Sequence, residues 1–479
     1  MSVDLDRLYA RLAERADAAG PPPLSAVRAR AARRRRRSLG GLLAAGAAVV
    51  AALFGAQAVL TPAATTPPPP RPWLPPAEAG FTPFDGTAPP VLAYRTPARF
   101  GMTATLGDRA FAMWLAEDGT EWVGGIDLTV QKMLWPSLSL GKFGDTNGME
   151  VSPGAILLLT EQGFDNPLVQ GGSDTIIAVD PDLGRIMWTL PYSFNDTGRV
   201  LYDDTLVLSR PEQGRVEALD LRTGKTRWSA AERTLATGLN PVHTAAEHHR
   251  TAGWSGTVPT DRRVVLHLAD GRVQVRDVTS GRVERELAMP VLPAAGELTR
   301  QEYAVDGVLY QFAGSTVSRL PLDGSAPAVQ STLGSGLDQA RVQPCGGQGR
   351  FCALREGPGD GATLWLVDAH SGATRWQQTV GGEGATILYA APGVVAASRG
   401  RSQVFDPAGK PLAEVDGQAM WVGSGNLLVL GEGEVSGHQL ATGTRVRLGS
   451  LTVSGFCSWN DTMLICPTEQ GIGVYRYAN

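Results

Sequence analysis

Cysteine is scarce in this chain, four residues in 479, and none precedes Cys345. That placement excludes a lipid-modified cysteine near the N-terminus and a dense disulfide scaffold. Lysine is equally rare, four residues against 39 arginines, and the four are scattered along the sequence. The arginine bias is that of a high-GC bacterial genome. Catalytic signatures are missing: no helical H-E-x-x-H zinc motif, no G-x-S-x-G nucleophile elbow and no G-x-x-x-x-G-K-[ST] phosphate loop occurs. No carboxylate pair stands out from the many aspartates, which read as turn formers. From residue 91 onward there is no long amphipathic helix. Only one uncharged run is long enough to cross a bilayer, and it lies near the N-terminus.

What is present is glycine, 58 residues spread along the chain, and a repeat. Residues 218–228 read ALDLRTGKTRW. An apolar strand, Val216 to Leu219, leads into a tight turn made by Asp220, Thr223 and Gly224, and a second strand ends on Trp228. An Asp side chain accepts backbone N–H bonds in such a turn, and Gly supplies positive φ without steric strain. IAVDPDLGRIMW repeats the pattern with Asp180, Gly184 and Trp188, and LWLVDAHSGATRW with Asp368, Gly372 and Trp376. GIDLTVQKMLW is a weaker copy with Asp127 and Trp135. In all four the Trp lies eight residues after the Asp. Copies without Trp surround Asp277, Asp323, Asp406 and Gly443. Short apolar strands such as VVLHL, VLYQF and LLVL recur ahead of the turns. The pattern predicts an all-β chain, a β-propeller of four-stranded antiparallel blades closed into a ring that removes exposed edges. Eight turn motifs predict eight blades, or seven if one degenerate unit is a loop. The last strand, GVYRYAN, is expected to pair near Val91–Tyr94 and close the ring.

Four segments follow from the order of composition. Residues 1–38 hold a short amphipathic helix with Leu5, Leu8, Tyr9 and Leu12 on one face, then the arginine run 33–37. They carry ten Arg and four acids, net +6, so the net charge of −4 for the whole chain leaves −10 for the remainder. Residues 39–60 are uncharged, the length a single transmembrane helix needs, and the flanking arginines predict a cytoplasmic N-terminus. A cleaved signal peptide is the rival reading, because Ala56-Gln57-Ala58 has the small-x-small form of a cleavage site. Residues 61–90 contain eleven Pro and read as an extended spacer. Residues 91–479 are the propeller. Membrane lipid is the expected partner of 39–60. The arginine run has no interleaved aromatics, so nucleic acid is not an expected partner.

ALDLRTGKTRW and AVDPDLGRIMW resemble the quinoprotein-type (PQQ-like) propeller repeat, A-x-D-x-x-T-G-x-x-x-W, over roughly residues 91–479. The resemblance implies that Trp135, Trp188, Trp228 and Trp376 pack between neighbouring blades. The family includes pyrroloquinoline-quinone dehydrogenases and non-enzymatic scaffolds such as the outer-membrane assembly propeller. The dehydrogenases use an adjacent Cys-Cys disulfide and a calcium ion. No two Cys are adjacent here and the calcium ligands map onto no residues, so no cofactor, no metal and no catalytic residue is expected. The basic N-terminus resembles those of actinobacterial membrane regulators, including anti-sigma-type proteins, but lacks the H-x-x-x-C-x-x-C zinc motif.

Cys345 and Cys352, and likewise Cys457 and Cys466, bracket a strand–turn–strand at matching blade positions. Opposed residues of a hairpin come close enough for a disulfide, so bonds 345–352 and 457–466 are expected, in an oxidising compartment. A Cys₄ zinc site would need C-x-x-C knuckles, which are missing. His243, Glu247, His248 and His249 lie in the longest stretch between motifs and read as a polar surface loop. A metal there would need a further ligand. The expected function is a membrane-tethered extracytoplasmic propeller that binds an unidentified protein or small ligand without catalysis. The alternative is a transmembrane sensor or regulator in which residues 1–38 meet a cytoplasmic partner. A cofactor-dependent dehydrogenase is third.

Overall fold

The computed structural model describes residues 80–478 apart from 144, 162–173, 193–197, 244–257, 294–299, 346–348, 358–360, 382–385, 391–392, 399 and 423–424. The expectations for 1–38 and 39–60, and for the spacer up to residue 79, lie outside these residues. Among the described residues no helix is long and apolar enough to cross a membrane.

Apart from a short 3-10 helix at Pro211–Gln213, the described secondary structure is strand, in four-stranded antiparallel meanders, with one extra two-residue strand, Gly455–Phe456, paired in parallel with Ala98–Leu106. In chain order we number these units blades 1 (98–141), 2 (145–191), 3 (198–230), 4 (234–288), 5 (301–332), 6 (341–381), 7 (386–416) and 8 (418–450). Blade 9 takes three strands from 458–476 and a fourth, Leu92–Ala93, from the other end of the chain. Leu92 pairs with Ile472 and Ala93 with Gly471, which ties the two ends of the ring together near the place the sequence suggested. Strands a to d run in order from the first strand of each blade to the last.

Why these sequences make blades is visible in blade 3. Strands b (Thr205–Arg210) and c (Arg215–Asp220) are buried along nearly their whole length, because a neighbouring blade covers each face. Strand d, Thr226–Ala230, is half exposed, as an outer edge should be. Nine apolar clusters make the ring continuous, one at each junction from blades 1–2 round to blades 9–1. At the junction of blades 4 and 5 the a strands also pair in parallel, Val242 with Ala304 and His243 with Val305, giving one eight-stranded sheet.

Two expectations differ from this. The described sheets comprise nine four-stranded units, one more than the eight predicted by counting turn motifs. The ninth has no Asp turn, because its c and d strands, Gly471–Arg476 and Leu92–Ala93, are far apart in the chain and no hairpin joins them; beside them Phe81 bridges to Ala478. The ring also begins before residue 91. Phe84 donates its backbone N–H to Leu448 O at 2.7 Å, and its ring lies 4.9 Å from that of Tyr475. Residues 80–90 are therefore held against blades 8 and 9 and are not spacer.

Candidate functional site

In an antiparallel meander the a–b and c–d turns share one end of the blade, and the repeated Asp stands at the c–d turn. All of these turns open on one face of the ring, the turn face. In blade 3, Asp220 Oδ1 accepts the Thr223 N–H at 2.9 Å and its hydroxyl at 2.8 Å. Gly224 adopts φ 68°, and its N–H returns to Asp220 O at 2.8 Å. Asp180, Asp277 and Asp368 hold their turns the same way, accepting from Leu183, Ser280 and Ser371. Blade 1 departs: Gln131, φ 50°, stands where the others have Gly, and Thr129 supplies the hydroxyl to Asp127.

Each Trp eight residues on reaches the next blade. Trp135 Nε1 donates to Pro181 O (3.1 Å), Trp188 to Leu221 O (2.6 Å), Trp228 to Val278 O (2.7 Å) and Trp376 to Pro407 O (3.2 Å). Every acceptor is the carbonyl just after the next blade's turn Asp. Each of these indoles also lies on the next turn glycine. A Cβ added to Gly184, Gly224, Gly281 or Gly409 would sit 2.2–2.7 Å from the nearest atom of Trp135, Trp188, Trp228 or Trp376. Glycine is therefore required there twice, for its positive φ and for the close approach of the indole. Gly372 meets no indole, because blade 5 lacks the Trp; a Cβ there would meet Thr332 O.

Among these turn carboxylates, Asp220 and Asp277 are stabilised as anions. The Arg227 guanidinium, with help from Thr223, holds Asp220 below the usual carboxylate range, and Ser280 does the same for Asp277. Next to them Asp204 is pulled strongly down: burial opposes ionisation, but hydrogen bonds from Arg262, Arg227 and Thr205 outweigh it. Burial pushes the neighbouring Asp203 up. These charges pair across blades 3 and 4, with Arg262 Nη1 2.6 Å from Asp204 Oδ1.

One polar cluster is buried between blades 4 and 5 and escaped the sequence reading. His267 Nδ1 lies 2.9 Å from Glu302 Oε1, and Nε2 lies 3.2 Å from Met289 O. Gln311 Nε2 donates to the same Glu302 oxygen at 2.5 Å, its own Oε1 fixed by the Leu292 N–H. Both side chains of the His–Glu pair are fully buried, so the cluster has no route to a substrate and serves the blade junction. Its signal was one His inside VVLHL, with a partner 35 residues away and no motif to connect them.

Both disulfides are present. Cys345–Cys352 spans 5.3 Å between Cα atoms and Cys457–Cys466 spans 4.3 Å. The second joins directly opposed residues, extending the register of Ser458 with Ile465. The first is diagonal, since Cys352 stands opposite Gln343 and the Cys345 N–H bonds to Arg350 O. Of the expected polar loop, His243 ends strand a of blade 4, and Glu247, His248 and His249 lie outside the described residues. Among the described residues no group of three or more His, Cys, Asp or Glu side chains could hold a metal ion. The singled-out repeat residues therefore come together as inter-blade joints, and the turn face they build is the candidate surface for binding.

Residues 121–318 match the family model described as "Outer membrane protein assembly factor BamB". With the sheet topology, this makes the fold a PQQ-like β-propeller. Among solved structures, the chain is similar to BamB from Moraxella catarrhalis, at 14% identity over 72% of this chain and 92% of that one, with a TM-score of 0.42. It is also similar to the computationally designed Ika8 protein, at 14% identity over 70% of this chain and 98% of that one, with a TM-score of 0.44. No curated protein matches the sequence.

Proposed function

We propose that this chain is a non-enzymatic binding platform, a propeller held outside the cytoplasmic membrane by residues 39–60 with its N-terminus inside. The family match carries the reading, since the matched model describes an assembly factor and covers three of the four Trp-bearing repeats. The geometry agrees with it: the repeat's Asp and Gly residues are engaged in their own turns, and each Trp indole bonds a backbone carbonyl of the next blade. The two disulfides support an oxidising compartment for blades 6 and 9. The charge asymmetry of +6 on residues 1–38 against −10 on the rest favours a second reading, a regulator that signals through that segment.

Cross-linked capture of membrane complexes, with and without residues 1–38, tests the two readings. Partners retained after the deletion support the platform, and partners lost with it support the regulator. Added protease should remove the propeller from intact spheroplasts while an N-terminal tag stays protected. A soluble mature chain beginning near Val59 would instead identify residues 39–60 as a cleaved signal. The non-enzymatic reading also expects purified protein given calcium and pyrroloquinoline quinone to reduce no dye with alcohols or sugars. Turnover above the cofactor blank would overturn it.

A further inference from the structure

Two of the four lysines that looked scattered stand in one row with two arginines. The residue five after the turn Asp is Lys132 in blade 1, Arg185 in blade 2, Lys225 in blade 3 and Arg282 in blade 4. Their backbones occupy one position: Arg185 O, Lys225 O and Arg282 O accept the N–H of their own turn Asp at 2.9–3.0 Å, and Lys132 pairs with Asp127. All four side chains are exposed, Arg185 and Arg282 at 70% and 71%. Four successive blades thus present a cation at the same place on the outer turn face. Blades 5 and 6 interrupt the row with Ala328 and Ala373.

The acids nearby are largely occupied. Asp220 holds Thr223 and Arg227, Asp277 holds Ser280, and Asp182 accepts Arg109 Nη1 at 2.5 Å. Arg282 has a contact with Glu284 at 3.2 Å, and Arg185 lies 3.8 Å from the buried Asp180. The cations therefore dominate what this rim shows to solvent.

Apolar side chains stand among them. Val130 and Met133 of blade 1 are 59% and 47% exposed, and Leu183 and Ile186 of blade 2 are 57% and 39% exposed. Val130 and Leu183 occupy the position that Thr223 and Ser280 use to bond their turn Asp. At this position blades 1 and 2 have exchanged a turn-stabilising hydroxyl for an exposed aliphatic group, which folding does not require. The two turns adjoin, because Trp135 lies on Gly184.

From this juxtaposition we propose that the outer turn face of blades 1–4 docks an acidic, extended polypeptide segment carrying apolar side chains. The proposal rests on the platform reading and names the partner chemistry of that platform. Carboxylates of the segment meet Lys132, Arg185, Lys225 and Arg282 in sequence, and its apolar groups cover Val130, Met133, Leu183 and Ile186. A slender peptide fits a row one side chain wide along a curved rim. An anionic bilayer fits less well, because residues 39–479 carry a net charge of −10 and would be repelled by it.

The test uses the full-length protein in neutral detergent and two fluorescein-labelled peptides, one repeating Glu-Leu-Glu-Ser and a control repeating Lys-Leu-Lys-Ser. Fluorescence anisotropy should show binding of the acidic peptide only, weakening as salt shortens the screening length. The pair Lys225→Glu and Arg282→Glu should weaken it about tenfold, and the pair Val130→Thr and Leu183→Thr about threefold. An unchanged melting temperature in both variants shows that the ring is intact. Equal binding by wild type and charge-reversed protein, or no binding by wild type, overturns the proposal. So does binding of phosphatidylglycerol vesicles that depends on the same residues while the peptide fails. The cross-linked capture, repeated on the charge-reversed variant, separates this proposal from the platform reading. Partners that survive charge reversal overturn the rim alone, and an empty capture from wild type overturns the platform as well.

Discussion

The smallest unit of this ring is one indole on one glycine. Trp228 is half-buried, with its Nε1 on Val278 O and its ring against Gly281. Trp228→Ala should cost about 2–4 kcal/mol, toward the low end for a large aromatic because part of the ring already meets water. Gly281→Ala should cost more than about 2 kcal/mol, since φ is 71° and the new Cβ would lie 2.5 Å from Trp228 Cδ2. In the Trp228→Ala background the clash disappears and the glycine substitution should cost only about 1 kcal/mol of backbone strain. Additive urea midpoints would show that the two residues do not touch. Arg285 fills the Trp position in blade 4 and also reaches the next blade, donating Nη1 to Asp323 O at 2.7 Å. It is exposed, so Arg285→Ala should stay within about 1 kcal/mol. The eight-residue spacing was legible in the sequence because all four Trp-bearing repeats obey it. The carbonyl that each indole selects was not, since the acceptor lies 31 to 50 residues away on another blade.

At the scale of the hairpin, two devices stiffen what the strands alone leave loose. The first is the ionised turn Asp. Asp220 is held below its unfolded value, chiefly by Arg227, and Asp277 is held below by Ser280. A depressed folded pKa means that the native state binds fewer protons than the unfolded chain. The stabilisation is complete above about pH 5 and is lost as pH falls through the lower folded values. The urea midpoint should therefore fall between about pH 5 and about pH 2.5, and Asp220→Asn should flatten that fall. An equally steep dependence in the variant would place the acid sensitivity elsewhere. The second device is the disulfide, with sequence separations of 7 and 9. Loops this short predict about 2–3 kcal/mol for each bond, measured by replacing one pair at a time with Ser. The pairing could be read from spacing, because both bonds stay within one blade. That one is direct and the other diagonal could not, since register depends on which residue begins the strand. The rim cations were hidden differently: they form a row only once the turns are superposed.

The whole molecule depends on how a linear chain closes a ring, and here the sequence was least informative. The eight turn motifs could be counted, but blade 9 is assembled from both ends and has no motif. The strap 80–96 makes this closure. Leu92 is fully buried against Trp114, Ile126, Met463 and Ile472. Gly124 leaves it room, since a Cβ there would lie 2.2 Å from Leu92 Cδ1. Phe81 and Phe84 use two further gaps, over Gly437 and Gly449 of blade 8, where a Cβ would come within 2.5 and 2.6 Å of their rings. Three glycines on blades 1 and 8 thus accommodate three side chains of one short segment. Removing residues 1–79 should leave the melting temperature of the propeller unchanged, because none of these contacts is touched. Removing 1–96 takes away the fully buried Leu92 and the partly buried Phe81 and Phe84, at most about 4.5–9 kcal/mol of apolar burial at about 1.5–3 kcal/mol for each full burial. That is a large part of the ~5–15 kcal/mol by which a domain is usually stable. It also exposes the outer edge of Gly471–Arg476 to pairing with other chains. The longer truncation should melt at least about 10 °C lower and aggregate on heating, measured by calorimetry and light scattering on the two fragments. Equal melting temperatures would mean that blades 1 and 9 hold the ring closed without the strap.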